Sequence, residues 1–219
     1  MSHVTLVRHG QANTEARDEI SYDRLSDLGW QQARWLGGHL RDTHEQFARV
    51  YTGTLRRHIE TAEGIAADCD HAPVQDPRLN EMAYFDLATA VEQEHGLAMP
   101  SDREGFVTHL PRVFDLWQRD RIEGAPERFA DFETRVRDAL TEIAAGDGRA
   151  LVVTSGGLIG MAMRIVMRLD VAALAAACIA IENTSLHRIQ PLGETLLLTQ
   201  FNALPHLDTP ERRFARSHL

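Results

Sequence analysis

The uncharged run Ala150-Leu151-Val152-Val153-Thr154 constrains the fold of this chain most. A continuous apolar run of this length reads as a strand buried on both faces, the kind found in parallel sheets. It enters the turn Ser155-Gly156-Gly157, and helical spacing begins near Leu158 and continues through Met161, Ile165 and Val166. A strand that feeds a helix through a glycine-rich turn belongs to an α/β chain, and the backbone N–H groups of such a turn favour an anion.

The chain begins in the same way. Val4-Thr5-Leu6-Val7 reads as a short buried strand, and it ends at Arg8-His9-Gly10-Gln11. In an open α/β sheet, residues at the carboxyl ends of strands face the crevice where ligands bind. Arg8 offers a planar fork of donors suited to a phosphate. His9 offers a neutral nitrogen that can attack or take a proton near neutral pH. Taken alone, an Arg-His pair at a strand end is more often a surface pair or a capped turn, so the remaining elements carry the decision.

Residues 11–24 are polar without a period and read as a loop beside this edge. Ser26 and Asp27 open an amphipathic helix over 27–41, with Leu28, Gln32, Leu36 and Leu40 at four-residue intervals. Val50-Tyr51-Thr52 reads as a second strand, Gly53-Thr54 as its turn, and 55–68 as a helix with Thr54 as its N-cap. Arg56 and Arg57 then sit in a first turn, where cations oppose the helix dipole. Either both are simply solvated, or they meet a phosphate there. Residues 72–76 read as a third strand.

Residues 82–127 read as an inserted, mostly helical lid over the sheet, with helical spacing over 106–121 and Phe114 and Trp117 as packing. A helix follows over 131–145, a further short one over 171–178, and two late strands over 184–189 and 195–201. The tail from residue 202 reads as polar and irregular. This alternation predicts one α/β domain over residues 1–219, a three-layer sandwich with helices on both faces of a mainly parallel sheet. The turns after the first and central strands then share one sheet edge, with the start of the Arg57 helix near it.

A net charge of −9 argues against a nucleic-acid surface and makes individual arginines in a pocket more informative than the overall balance. Cys69 and Cys178 have neither metal-ligand spacing nor a disulfide framework, and read as ordinary thiols of a reducing compartment. The N-terminus lacks a secretory pattern, and no segment offers the about 20 unbroken apolar residues of a membrane helix. These features predict a cytoplasmic protein with no membrane or nucleic-acid partner, no metal and no cofactor. The oligomeric state stays open, a homodimer included.

At this point the chain resembles the histidine phosphatase superfamily, the fold class of the phosphoglycerate mutases. Leu6-Val7-Arg8-His9-Gly10 looks like the family's signature, and Tyr51-Thr52-Gly53-Thr54-Leu55-Arg56-Arg57-His58-Ile59-Glu60-Thr61-Ala62 is similar to its second motif. Leu79-Asn80-Glu81 resembles the segment with the family's acidic proton donor. The likeness extends through Asn183-Thr184-Ser185 to Asn202-Ala203-Leu204-Pro205-His206.

The resemblance implies that His9 is the nucleophile, that Arg8 and Arg57 hold the phosphoryl oxygens, and that Glu81, its pKa raised by burial, is the proton donor. Gly10, Gln11, Ser155 and Gly156 are then expected to complete the phosphate site. The family usually places a second histidine where this chain has Ser155. Losing one preorganised donor commonly costs about 10²–10³ in rate. His58 and His206 are candidate substitutes, although each reads first as a surface histidine. The leading expectation is a phosphatase acting on a small phosphomonoester through phospho-His9. A non-catalytic phospho-ligand-binding protein and a mutase are the alternatives. His9 and Glu81 favour the enzyme, and Ser155 favours the binder.

Overall fold

The computed structural model describes residues 2–218 apart from 15, 17, 68, 70, 71 and 194. Strand β1 (His3–Arg8) and strand β4 (Arg149–Thr154) lie side by side in parallel, with Leu6 opposite Val152 and Arg8 opposite Thr154. Strand β2 (Arg49–Thr52) adds to the other side of β4, and the short β3 (Val74–Gln75) to β2, both parallel. Strands β5 (Leu186–Leu192) and β6 (Thr195–Ala203) form an antiparallel hairpin on the far side of β1. The sheet order is β3-β2-β4-β1-β5-β6.

Side chains alternate along the central strands, so the two faces build separate cores. Val7, Leu151 and Val153 pack against Leu36 and Leu40 of helix α2 (Asp27–Asp42) and Ile65 of helix α3 (Arg56–Ile65). Val4, Leu6, Ala150 and Val152 face a larger core. That core includes helices α6 (Phe129–Ala145), α7 (Gly156–Met167) and α8 (Val171–Ala180). The result is the expected three layers.

The lid consists of helix α4 (Tyr84–His95) and helix α5 (Arg103–Gln118). Its apolar residues Leu87, Val91, Leu110, Val113, Phe114 and Trp117 join the larger core directly. Trp117 packs on Phe129 and Phe132, and its indole N–H donates to the Glu127 carbonyl. These aromatics are packing, as their spacing suggests.

Several details depart from the sequence reading. Helix α4 lies in the expected helical insertion but outside the 106–121 spacing, and α5 begins at Arg103. Residues 11–24 contain helix α1 (Glu19–Tyr22), whose first turn is closed by the Asp18 carboxylate accepting from Ser21 N. Helix α3 ends with Ala66 in the left-handed region, and its expected last residue, Asp68, lies outside the described residues. The tail is packed: Leu204, Leu207 and Ala215 are buried, and Gln32 Nε2 donates to the Ala215 carbonyl. Among the described residues no helix is long and apolar enough to cross a membrane.

Candidate active site

The parallel register sets the floor of the site. His9 N donates to the Thr154 carbonyl at 2.8 Å, which ties the turn after β1 to the end of β4. The Thr154 hydroxyl donates to the Leu79 carbonyl at 2.7 Å, which brings the segment carrying Glu81 to the same edge. Gly10 passes so close to α2 that a Cβ there would stand 2.5 Å from the Gly29 carbonyl oxygen. Only glycine lets the turn cross there. A pocket of about 440 Å³ opens above this edge, lined by Arg8, His9, Arg57, Glu81, Gly156 and Gly157 among others.

The hydrogen bonds of His9 fix its chemistry. Nδ1 lies 2.7 Å from the Gly10 carbonyl oxygen. A carbonyl only accepts, so Nδ1 carries the proton and Nε2 keeps the lone pair in the neutral ring. Burial, and then the nearby cations Arg57 and Arg8, hold the His9 pKa well below the usual histidine range. The ring is therefore unprotonated at neutral pH, with Nε2 free to attack or to accept a proton.

The two arginines are held by different means. Arg8 donates from NH1 to the carbonyl of Ile181, one of the unpaired carbonyls at the end of α8. Arg57 sits in the first turn of α3, and Asp23 resolves the conflict with the helix dipole. The Asp23 carboxylate accepts from the backbone N–H groups of Arg56 and Arg57 and from Arg57 NH1 at 3.0 Å. It does the work expected of Thr54, which is not the N-cap; Leu55 is, without a side-chain bond. The Arg57 guanidinium also lies over the Tyr22 ring at 5.0 Å. Arg8 Nε and Arg57 Nε have no protein partner among the described residues, which leaves donors for an anion.

Glu81 is partly buried, not enclosed as its expected role suggested. Its carboxylate accepts from Gly157 N at 2.8 Å and from Met82 N at 3.1 Å. A Cβ at Gly157 would stand 2.4 Å from Glu81 Oε1, so the glycine makes the room.

Other expected ligands turn out to be supports. Gly10 N donates to Thr61 Oγ1 and Gln11 N to Gln32 Oε1, while Gln11 Oε1 accepts from the Ser26 hydroxyl. Both residues lie behind the pocket wall because α2 and α3 claim their polar groups. Ser155 is also buried behind the wall, and its place at the surface is taken by Gly156. His58 and His206 are not surface residues. His58 is fully buried against His9, and His206 is buried on Thr184 Oγ1 at 2.9 Å, away from the pocket.

The upper wall is apolar, built by Tyr22, Tyr84, Phe85, Met99, Phe106 and Leu110. Glu19 joins it, accepting from Phe85 N, and burial raises its carboxyl pKa. Sequence reading missed Glu19, Tyr22 and Asp23 because their segment showed no period. The one signal was Asp18 three residues before Ser21, a helix-start spacing.

The model of the histidine phosphatase superfamily (branch 1) matches residues 4–204. The chain belongs to this superfamily. Phosphoglycerate mutase-like protein 4 of Arabidopsis thaliana is 31% identical over 166 residues, covering 72% of this chain and 68% of its own length. The probable phosphoglycerate mutase GpmB of Serratia proteamaculans is 26% identical and covers 96% of this chain and 97% of its own. Among solved structures, a phosphoserine phosphatase from Entamoeba histolytica superposes with a TM-score of 0.69 at 18% identity, over 94% of this chain and 100% of that one. The proteins this chain resembles thus carry phosphatase and mutase names, and the shared fold is the three-layer α/β architecture described above.

Proposed function

We propose that this protein hydrolyses a small phosphomonoester through a phosphohistidine at His9. The observation that carries the reading is the bond from His9 Nδ1 to the Gly10 carbonyl, in a ring that lines the pocket beside Arg8 and Arg57. In the first step His9 Nε2 forms a bond to phosphorus, the ester P–O bond breaks, and Glu81 gives the leaving oxygen a proton. In the second step water gives Glu81 a proton and attacks phosphorus, the N–P bond breaks, and inorganic phosphate leaves. Arg8 and Arg57 stabilise the equatorial charge in both steps.

The apolar upper wall favours a substrate whose group beyond the phosphate is apolar or aromatic. A mutase has less support. It must hold a second anionic group, and the described pocket cations other than Arg8 and Arg57 come down to Arg103. The test is turnover of an aryl phosphate from about pH 5 to pH 8, with His9→Ala as control. Wild type should exceed the control and trap label from the phosphoryl group in an acid-labile, alkali-stable form. Turnover no higher than that of His9→Ala would overturn the hydrolase and favour a non-catalytic phospho-ligand site.

A further inference from the structure

His58 is fully buried, and the two chemical steps give it no task. Its Nε2 lies 2.6 Å from Ser155 Oγ. Its ring centroid lies 5.8 Å from that of His9, with the planes tilted by 36°. Its Nδ1 has no hydrogen-bond partner among the described residues. A Cβ at Gly53 would stand 2.2 Å from that Nδ1, so the turn after β2 gives up a side chain to house the ring.

Space filling does not account for this arrangement. A buried imidazole with one unsatisfied nitrogen is more costly than an apolar side chain of similar size. Burial, and then Arg57, keep the His58 pKa well below the ordinary histidine range, so the ring is neutral and has one N–H. On Nδ1 that hydrogen would be buried without an acceptor. On Nε2 it donates to Ser155 Oγ, and the ring is fixed from that side. His9 is then held at Nδ1 by the Gly10 carbonyl and packed by the rings of Tyr22 and His58. The hydrogen bond sets which nitrogen is free, and the packing limits rotation about Cβ–Cγ. A nucleophile that attacks in line needs both constraints.

We propose that His58, anchored by Ser155, is the positioning residue for the His9 ring, so that helix α3 supplies the second imidazole of this site in place of the turn after β4. The inference rests on His9 being the nucleophile. It carries a steric corollary. Ser155 Oγ already touches His58 Nε2, so a larger side chain at 155 pointing the same way runs into the His58 ring. An imidazole fits at 58 or at 155, not at both.

The test is steady-state hydrolysis of an aryl phosphate by the full chain, with rates normalised to the fraction of enzyme that traps phosphoryl label. His58→Ala should lower kcat by about 10–100-fold with KM changed by no more than about 3-fold, because the loss is in orientation and not in binding. His58→Gln keeps an N–H within reach of Ser155 Oγ and should recover most of the loss. His58→Leu keeps the volume without the donor and should not; it also replaces His58→Ala if the smaller residue fails to fold. Ser155→His alone should be slower than wild type, whereas His58→Ala/Ser155→His should be faster than His58→Ala. Wild-type kcat in His58→Leu, or a Ser155→His enzyme faster than wild type, overturns the inference while the hydrolase reading stands. Wild-type turnover no higher than that of His9→Ala overturns the hydrolase reading, and this inference with it.

Discussion

The turns that close β1 and β4 lie in register, Arg8 opposite Thr154, yet they present different things to the pocket. The β1 turn contributes side chains, Arg8 and His9. The β4 turn contributes backbone and space, Gly156 and Gly157, while Ser155 points back to His58. Both turns are strand ends with glycine, and in sequence both look like places to hold a phosphate. The difference lies in what stands behind each. The first turn crosses close over Gly29 and holds its imidazole on its own Gly10 carbonyl, whereas the side chain that opens the second, Ser155, is bonded to the buried His58 ring.

The sharpest break of this comparison is removal of His9, the proposed nucleophile. His9→Asn should lower kcat by at least about 10³-fold, as expected when the atom that forms the covalent bond is lost. Ser155→Ala should cost about 10-fold, because it loses only the hydrogen bond that fixes a neighbour. Equal losses from the two turns would erase the distinction drawn here. Steady-state rates on one aryl phosphate decide it.

Gly157→Ala probes the space that the β4 turn leaves. The added methyl would meet the Glu81 carboxylate and the end of Met82, both movable, so the chain should fold with Glu81 displaced. General acid catalysis matters most for poor leaving groups. The substitution should therefore cost about 10²-fold on an alkyl phosphate and only a few-fold on a nitrophenyl phosphate. A uniform loss on both would place Glu81 outside the proton-transfer role.

Asp23→Ala tests the support of Arg57. It removes the acceptor of two helix N–H groups and of the guanidinium together. Expected are a fall of about 10-fold in kcat/KM and a stability loss of about 1 kcal/mol, the usual size for a lost helix cap. Denaturant midpoints and kinetics read the two effects separately.

The core of this comparison was legible in the sequence. The apolar run 150–154 and the Arg8-His9-Gly10 turn pointed to the layers and the sheet edge, because buried strands and glycine turns are written in local pattern, whereas the role expected of His9 came only from the family resemblance. Asp23 was not legible, because its work is done on a helix more than thirty residues away and its own segment has no period. His58 was misread for a related reason. It follows two arginines in a polar run, which suggests a solvated face. Its burial depends on Gly53, Ser155 and His9, three residues from different turns. Gln11 looked like a ligand by adjacency to His9, but its polar groups are taken by α2, which no local signal shows.

The last effect changes stability with pH and leaves the sequence intact, and it is shared by four buried rings, of which only His9 lies in either turn. His9 and His58 are buried with their pKa values held well below the ordinary range, chiefly by burial, and so are His187 and His206, each lowered to about 3. Above about pH 6.5 these rings are neutral in the folded and unfolded chain alike, and they cost nothing. As pH falls, the unfolded rings take up protons near about 6.5 while the folded ones do not, so the unfolded state binds more protons and stability declines with falling pH. Each ring contributes at most about 1.4 kcal/mol per pH unit below that point. Urea midpoints at pH 7 and pH 5.5 should show the decline before carboxylates begin to titrate. His58→Gln should flatten the slope by the share of one ring. An unchanged midpoint between the two conditions would mean that these rings take up protons in the folded chain, and the account of His9 as an unprotonated nucleophile would fail with it.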